Sequence, residues 1–150
     1  MTASDNETLQ RDIRRAMFRR IMTYIGIIVA LAVIVAFVFH QFKVYSNARL
    51  KLREAKNIKM SLEVIDTELY AFGTSIYDDT CEGNIRKSAY AHVEKLQGKI
   101  EGLIKLTGYD SAKRLITELE YETKDYIIRY TRTGEQEEWK VCLIKELLTY

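Results

Sequence analysis

IMTYIGIIVALAVIVAFVF, Ile21 to Phe39, is nineteen residues without a charge or a proline. Only Thr23, Tyr24 and Gly26 relieve an aliphatic and aromatic run. At ~1.5 Å of rise per residue, a helix of that length spans roughly 28 Å, the hydrocarbon thickness of a bilayer. A buried core helix of this length normally shows a polar face. A cleaved signal peptide has an apolar region of about 7–15 residues with a small-residue site soon after it. Here HQFKVY follows, and only Ser46 and Ala48 offer a cleavage pattern. The stretch reads as an uncleaved membrane anchor over residues 21–42.

The flanks agree with a span. Tyr24 and Tyr45 fall near the two headgroup levels, where amphipathic rings settle. Arg11, Arg14, Arg15, Arg19 and Arg20 precede the apolar run, and Lys43, Arg49, Lys51, Arg53, Lys56 and Lys59 follow it. The arginines crowd closest to the apolar edge in a short tail, and long domains cross a membrane largely regardless of charge. The expected orientation is N-terminus in the cytoplasm and C-terminal domain outside, as in a bacterial inner membrane facing the periplasm. Arg14, Arg15, Arg19 and Arg20 on one side, and Lys43, Arg49, Lys51 and Arg53 on the other, are candidates to pair with lipid phosphates.

Working outward on the C-terminal side, no glycine occurs between Gly26 and Gly73. An apolar seam can be written straight on from the anchor: Ala48, Ala55, Ile58, Leu62, Ile65, Leu69, Phe72 and Ile76. Such spacing lays one stripe along a long helix. Leu50, Met60 and Val64 widen it beyond a strict coiled-coil seam. GTSIYDDTCEGN, residues 73–84, is the first turn-rich interruption. Beyond it, apolar residues at helical spacing suggest helices at about 85–106, 111–131 and 135–148. Gly98 and Gly102 then sit four apart on the second, as in small-residue helix contacts. Thr133 and Gln136 have capping-box spacing before the last.

The expected fold is therefore all-α: one transmembrane helix continuing into an antiparallel four-helix bundle with coiled-coil-like packing. The division is a basic tail at 1–20, the span at 21–42, a basic stalk at 43–56 and the bundle at 57–150. Residues 43–59 hold six basic and one acidic residue, whereas residues 60–150 hold twelve basic and seventeen acidic. A basic stalk suits the headgroup surface. Up-down topology would bring Cys81 and Cys142 to one end of the bundle, making them a disulfide candidate for an oxidising compartment.

No catalytic or metal-binding set emerges. The histidines are His40 and His92; no Cys-x-x-Cys and no glycine-rich phosphate loop occurs, and residue 89, three before His92, is alanine. This argues against zinc, haem, di-iron and nucleotide chemistry and for no cofactor. Glu118, Glu120, Glu122 and Asp125 read as a solvated helix face. The tyrosines read as core rims or a recognition surface. A near-neutral tethered domain argues against nucleic acid.

The layout of an anchor running into an outward helical bundle resembles the ligand-binding half of bacterial chemoreceptors and sensor kinases, which implies ligand sensing. Those proteins return through a second membrane helix, and this chain ends at Tyr150. The expected function is a non-enzymatic structural or regulatory subunit, with the bilayer and a membrane or envelope protein, or further copies of the chain, as partners. The alternatives are a ligand-sensing domain and an outward-facing inhibitor or immunity protein.

Overall fold

The computed structural model describes residues 3–144, with side chains for residues 14, 15 and 17–144. The order of elements is α1 (Ala3–Tyr70), a short 3-10 turn at Glu82–Asn84, α2 (Lys87–Gln97), then β1 (Leu103–Asp110), β2 (Leu115–Glu122), β3 (Tyr126–Thr133) and β4 (Gln136–Leu143). Two compact units divide the chain, Met1–Tyr45 and Ser46–Tyr150.

In the first unit, α1 carries the apolar run. Its side chains from Ile21 to Phe39 are exposed, and no described residue covers them. The stretch is long and apolar enough to cross a membrane, with a mean hydropathy of 2.8 over its best window.

In the second unit, the C-terminal part of α1 keeps the apolar stripe read from the sequence. Ala55, Ile58 and Leu62 are fully buried, Ile65 nearly so, and Ala48, Leu52 and Leu69 pack against them. What they pack on is not a set of helices. β1 to β4 form an antiparallel meander in sequential order, and its inner face meets the stripe through Ile104, Leu106, Ile116, Leu119, Tyr121, Tyr126, Ile128 and Tyr130. The all-α bundle, the coiled coil and the helices at 111–131 and 135–148 are thus overturned, and with them the basis of the chemoreceptor resemblance.

The physical reason lies in the alternation. In β3, Tyr126, Ile128 and Tyr130 are buried while Arg129 and Thr131 are exposed, a period of two. In β2 the period is hidden by a bulge. Gly108 pairs with Glu118 and Tyr109 with Ile116, so Thr117 is an extra residue. The bulge brings Ile116 and Leu119, three apart, to the same face, the spacing of a helix. The Thr133–Gln136 pair closes a two-residue hairpin loop, with Gly134 at φ 65° in its first position, and is not a capping box.

The helix expected at 85–106 ends at Gln97, where Gly98 donates to the Glu94 carbonyl. Gly102 stands instead before β1. A Cβ there would collide with the Glu122 carbonyl and the Tyr121 ring, so this glycine permits sheet pairing and makes no helix contact. Ala89 and Val93 from α2, with Ile76 and Ile85 from the connecting segment, complete the core. Phe72 leaves the seam: it lies beyond the end of α1 and is 79% exposed. Leu50, Met60 and Val64 are also exposed.

Candidate functional site

Three regions carry chemistry. The first is the N-terminal half of α1. Arg14, Arg15, Arg19 and Arg20 are exposed directly before the apolar run, and Thr23 Oγ1 donates to the Arg19 carbonyl at 2.9 Å. On the other side of the run, Lys43, Arg49 and Arg53 are exposed. Lys51 is not presented to solvent in the same way. Its ammonium lies 2.8 Å from both Glu54 and Glu101, and these hydrogen bonds, Glu101 first, raise its pKa. Lys51 is therefore committed within the domain.

The second region is the two ends of the sheet. At one end, Tyr121 donates from inside the core to Glu54, and burial followed by that contact pushes the phenol up. Thr123 and Tyr126 close the β2–β3 turn, backbone N–H to carbonyl at 2.8 Å, and the turn presents Lys124 and Asp125. A cleft of about 340 Å³ opens there, lined by Asn47, Leu50, Lys51, Glu101, Lys124 and Asp125 among others. At the far end of α1, the nearly buried Asp66 accepts from Arg114, from Tyr109 Oη at 2.9 Å and from the Ile76 N–H at 3.1 Å. Arg114 also reaches the Thr74 carbonyl at 2.8 Å and lies over the Tyr70 ring. This cluster fastens the connecting segment and the β1–β2 turn to α1.

The third region is a cleft of about 370 Å³ between the 3-10 turn, α2 and β1, lined by Cys81, Glu82, Ile85, Lys87, Tyr90, Ala91, Glu94 and Leu103. Burial pushes the Tyr90 phenol up, with Glu94 and Glu82 adding to it. Beside α2, a smaller groove of about 200 Å³ is lined by Asn57, Met60, Ser61, Val64, Leu96 and Gln97. Met60, Val64 and Leu96 are all more than half exposed there.

The structure does not bridge Cys81 and Cys142; both thiols are free. Cys81 precedes the 3-10 turn that packs on β1, whereas Cys142 lies on β4. β1 and β4 are opposite edges of the sheet. Three strand spacings of ~4.8 Å place these edges roughly 14 Å apart, and a disulfide needs Cα atoms within about 7 Å.

The acidic run also changes meaning. Lys105 on β1 pairs with Glu122 at 2.7 Å, and Arg129 on β3 pairs with Glu120 at 2.8 Å, so these charges form cross-strand contacts on the outer sheet face. Burial pushes Glu120 up, but Arg129 and Lys105 outweigh it and hold its carboxyl below the usual range. Of the tyrosines, Tyr121, Tyr126 and Tyr130 are core residues, while Tyr77 stacks on Tyr109. Among the described residues, no group of three or more His, Cys, Asp and Glu is placed to hold a metal ion. Asp66 with Arg114, and the Lys124–Asp125 turn, escaped the sequence reading. Asp66 and Arg114 lie 48 positions apart, so no local spacing pairs them, and Asp125 belongs to the acidic run read as a helix face.

These features define a class: an apolar helix long enough to span a bilayer, joined in one chain to a helix-backed antiparallel meander. Comparison with protein-family models, with curated proteins and with solved structures yields no match.

Proposed function

We propose that this chain is a single-pass membrane protein whose C-terminal domain acts as a non-catalytic structural or regulatory subunit of a membrane or envelope complex. The observation that carries this is the contrast between the two parts of α1. Fourteen large apolar side chains between Ile21 and Phe39 are at least half exposed, while the stripe from Ala55 to Ile65 is sealed. Left in water, those fourteen would forfeit on the order of 20 kcal/mol of burial. A bilayer supplies the missing apolar environment.

The arginines before the run favour an N-terminus in the cytoplasm and the sheet domain outside. Alkaline carbonate should leave the protein in the membrane pellet, and detergent should release it. With Cys81 and Cys142 replaced by serine, a membrane-impermeant maleimide applied to intact spheroplasts should label Glu135→Cys and not Ser4→Cys; the reverse pattern would invert the topology. The exposed Met60–Val64–Leu96 groove supports the interaction role. Crosslinking in native membranes should capture a neighbouring protein or second copy, and Val64→Glu should weaken that capture without lowering the melting temperature. A monomer with no crosslinked neighbour would end the subunit reading.

The cleft at Tyr90 supports a second reading, ligand sensing. Its apolar residues Ile85 and Leu103 and its carboxylates Glu82 and Glu94, which outnumber the single cation Lys87, suit a small amine with an apolar body. A several-degree rise in melting temperature with such amines, absent in a Glu94→Lys variant, would favour it.

A further inference from the structure

We propose that the cleft at the β2–β3 turn binds the headgroup of an aminophospholipid, the phosphoethanolamine zwitterion, from the membrane in which the chain is anchored. This rests on the anchored reading above and adds to it a specific lipid site.

Charge is the first argument. Of the ionic groups lining the cleft, Lys51 is already neutralised by Glu54 and Glu101. Lys124 and Asp125 remain, adjacent, exposed and of opposite sign, with no side-chain partner among the described residues. A pure anion would meet Asp125 and Glu101, and a pure cation would meet Lys124 and Lys51. A zwitterion satisfies both: its phosphate faces Lys124 and the Asn47 amide, and its ammonium faces Asp125 and the outer side of Glu101. A primary ammonium has three N–H donors for those carboxylates, whereas the quaternary ammonium of choline has none.

Rigidity is the second argument. The turn is fixed before any ligand arrives. Thr123 Oγ1 accepts the Tyr126 N–H at 3.1 Å and donates to the Tyr126 carbonyl at 3.0 Å, and the Ile144 N–H reaches the Asp125 carbonyl at 3.0 Å. A held turn gives up little conformational entropy on binding.

Reach is the third argument. Asn47 follows Phe42 by five residues. Five residues span at most about 18 Å even when fully extended, whatever their conformation. The chain itself therefore confines the cleft to the vicinity of the membrane surface, where headgroups are the most concentrated small ligands. At about 340 Å³ the cleft lies within the size range of small-ligand sites.

The test uses the full-length protein in nanodiscs of phosphatidylethanolamine, phosphatidylcholine and phosphatidylglycerol. A water-soluble carbodiimide activates a neighbouring carboxylate, the lipid amine displaces the carbodiimide as a urea to form an amide, and peptide mapping locates the adduct. The expected result is a phosphatidylethanolamine adduct on Asp125 or Glu101. It should fall at least five-fold in Lys124→Glu, where both carboxylates remain, and by less in Lys124→Gln, with melting temperatures unchanged. Adducts spread over other carboxylates, or yields indifferent to residue 124, would overturn the lipid site while leaving the anchor intact. Failure of the protein to stay with the nanodiscs would instead overturn the anchored reading, and the lipid site with it.

Discussion

Arg114 closes on Asp66 as a two-pronged ion pair, with Nη2 2.7 Å from Oδ1 and Nε 3.1 Å from Oδ2. The two residues are 48 positions apart, and the Asp66 side chain is only 5% exposed. The same guanidinium bonds the backbone carbonyls of Asp66 and Thr74, each at 2.8 Å.

Removing one partner leaves a charge buried without its complement, which typically costs about 3–5 kcal/mol. Asp66→Ala and Arg114→Ala should each lower stability by that order in chemical denaturation. The double variant should lose clearly less than the sum. A loss under about 1 kcal/mol for Arg114→Ala would show that the pair does not hold the connecting segment to α1.

Neighbouring isoleucines distinguish strand from helix in β3. Ile128 is fully buried, whereas Ile127 is partly exposed on the outer face beside Cys142. Ile128→Ala should cost about 2–5 kcal/mol through lost burial and a cavity. Ile127→Ala should cost less than about 1 kcal/mol. Thermal or urea unfolding of the two variants side by side reads the difference, and equal losses would contradict the assigned faces.

Stability should decline at both pH extremes, from identifiable groups. The Tyr130 hydroxyl, then Lys59, holds Glu137 below the usual carboxylate range, and Glu120 is likewise lowered. A carboxyl lowered on folding stabilises above its unfolded pKa of about 4.5, and the gain disappears as pH falls through the folded value. Lys59 acts with the opposite sign. Burial pulls its ammonium down, Glu63 and Glu137 outweigh burial, and the net shift is upward. Its contribution is full below about pH 10.5 and is lost as pH rises through the higher folded value. Glu120→Gln should flatten the acid limb by less than about 1 kcal/mol, since such pairs are partly screened. Melting temperature against pH checks both limbs, and an unchanged acid limb in the variant would remove Glu120 from the account.

Both thiols should be titratable. Alkylation of denatured, unreduced protein should add two labels, at Cys81 and Cys142, and reductant should leave the melting temperature unchanged. A single oxidised species carrying neither label would mean that the opposite-edge placement is wrong.

The sequence by itself determined what is local. Nineteen uncharged residues at Ile21–Phe39, the arginines before them, and the periodic stripe from Ala55 to Ile65 each state a helix and its apolar face without reference to anything distant. The turn-rich segment at 73–84 was legible for the same reason. Only the tertiary structure decided what the stripe packs on, where the cysteines lie and which charges meet. Strands are stabilised by partners from elsewhere in the chain, and their signal is an alternation that one extra residue disguises. Thr117 is that residue: it sets Ile116 and Leu119 three apart on one face, and the strand borrows the spacing of a helix. Asp66 and Arg114, like Lys124 and Asn47, become neighbours only once the meander folds back along α1.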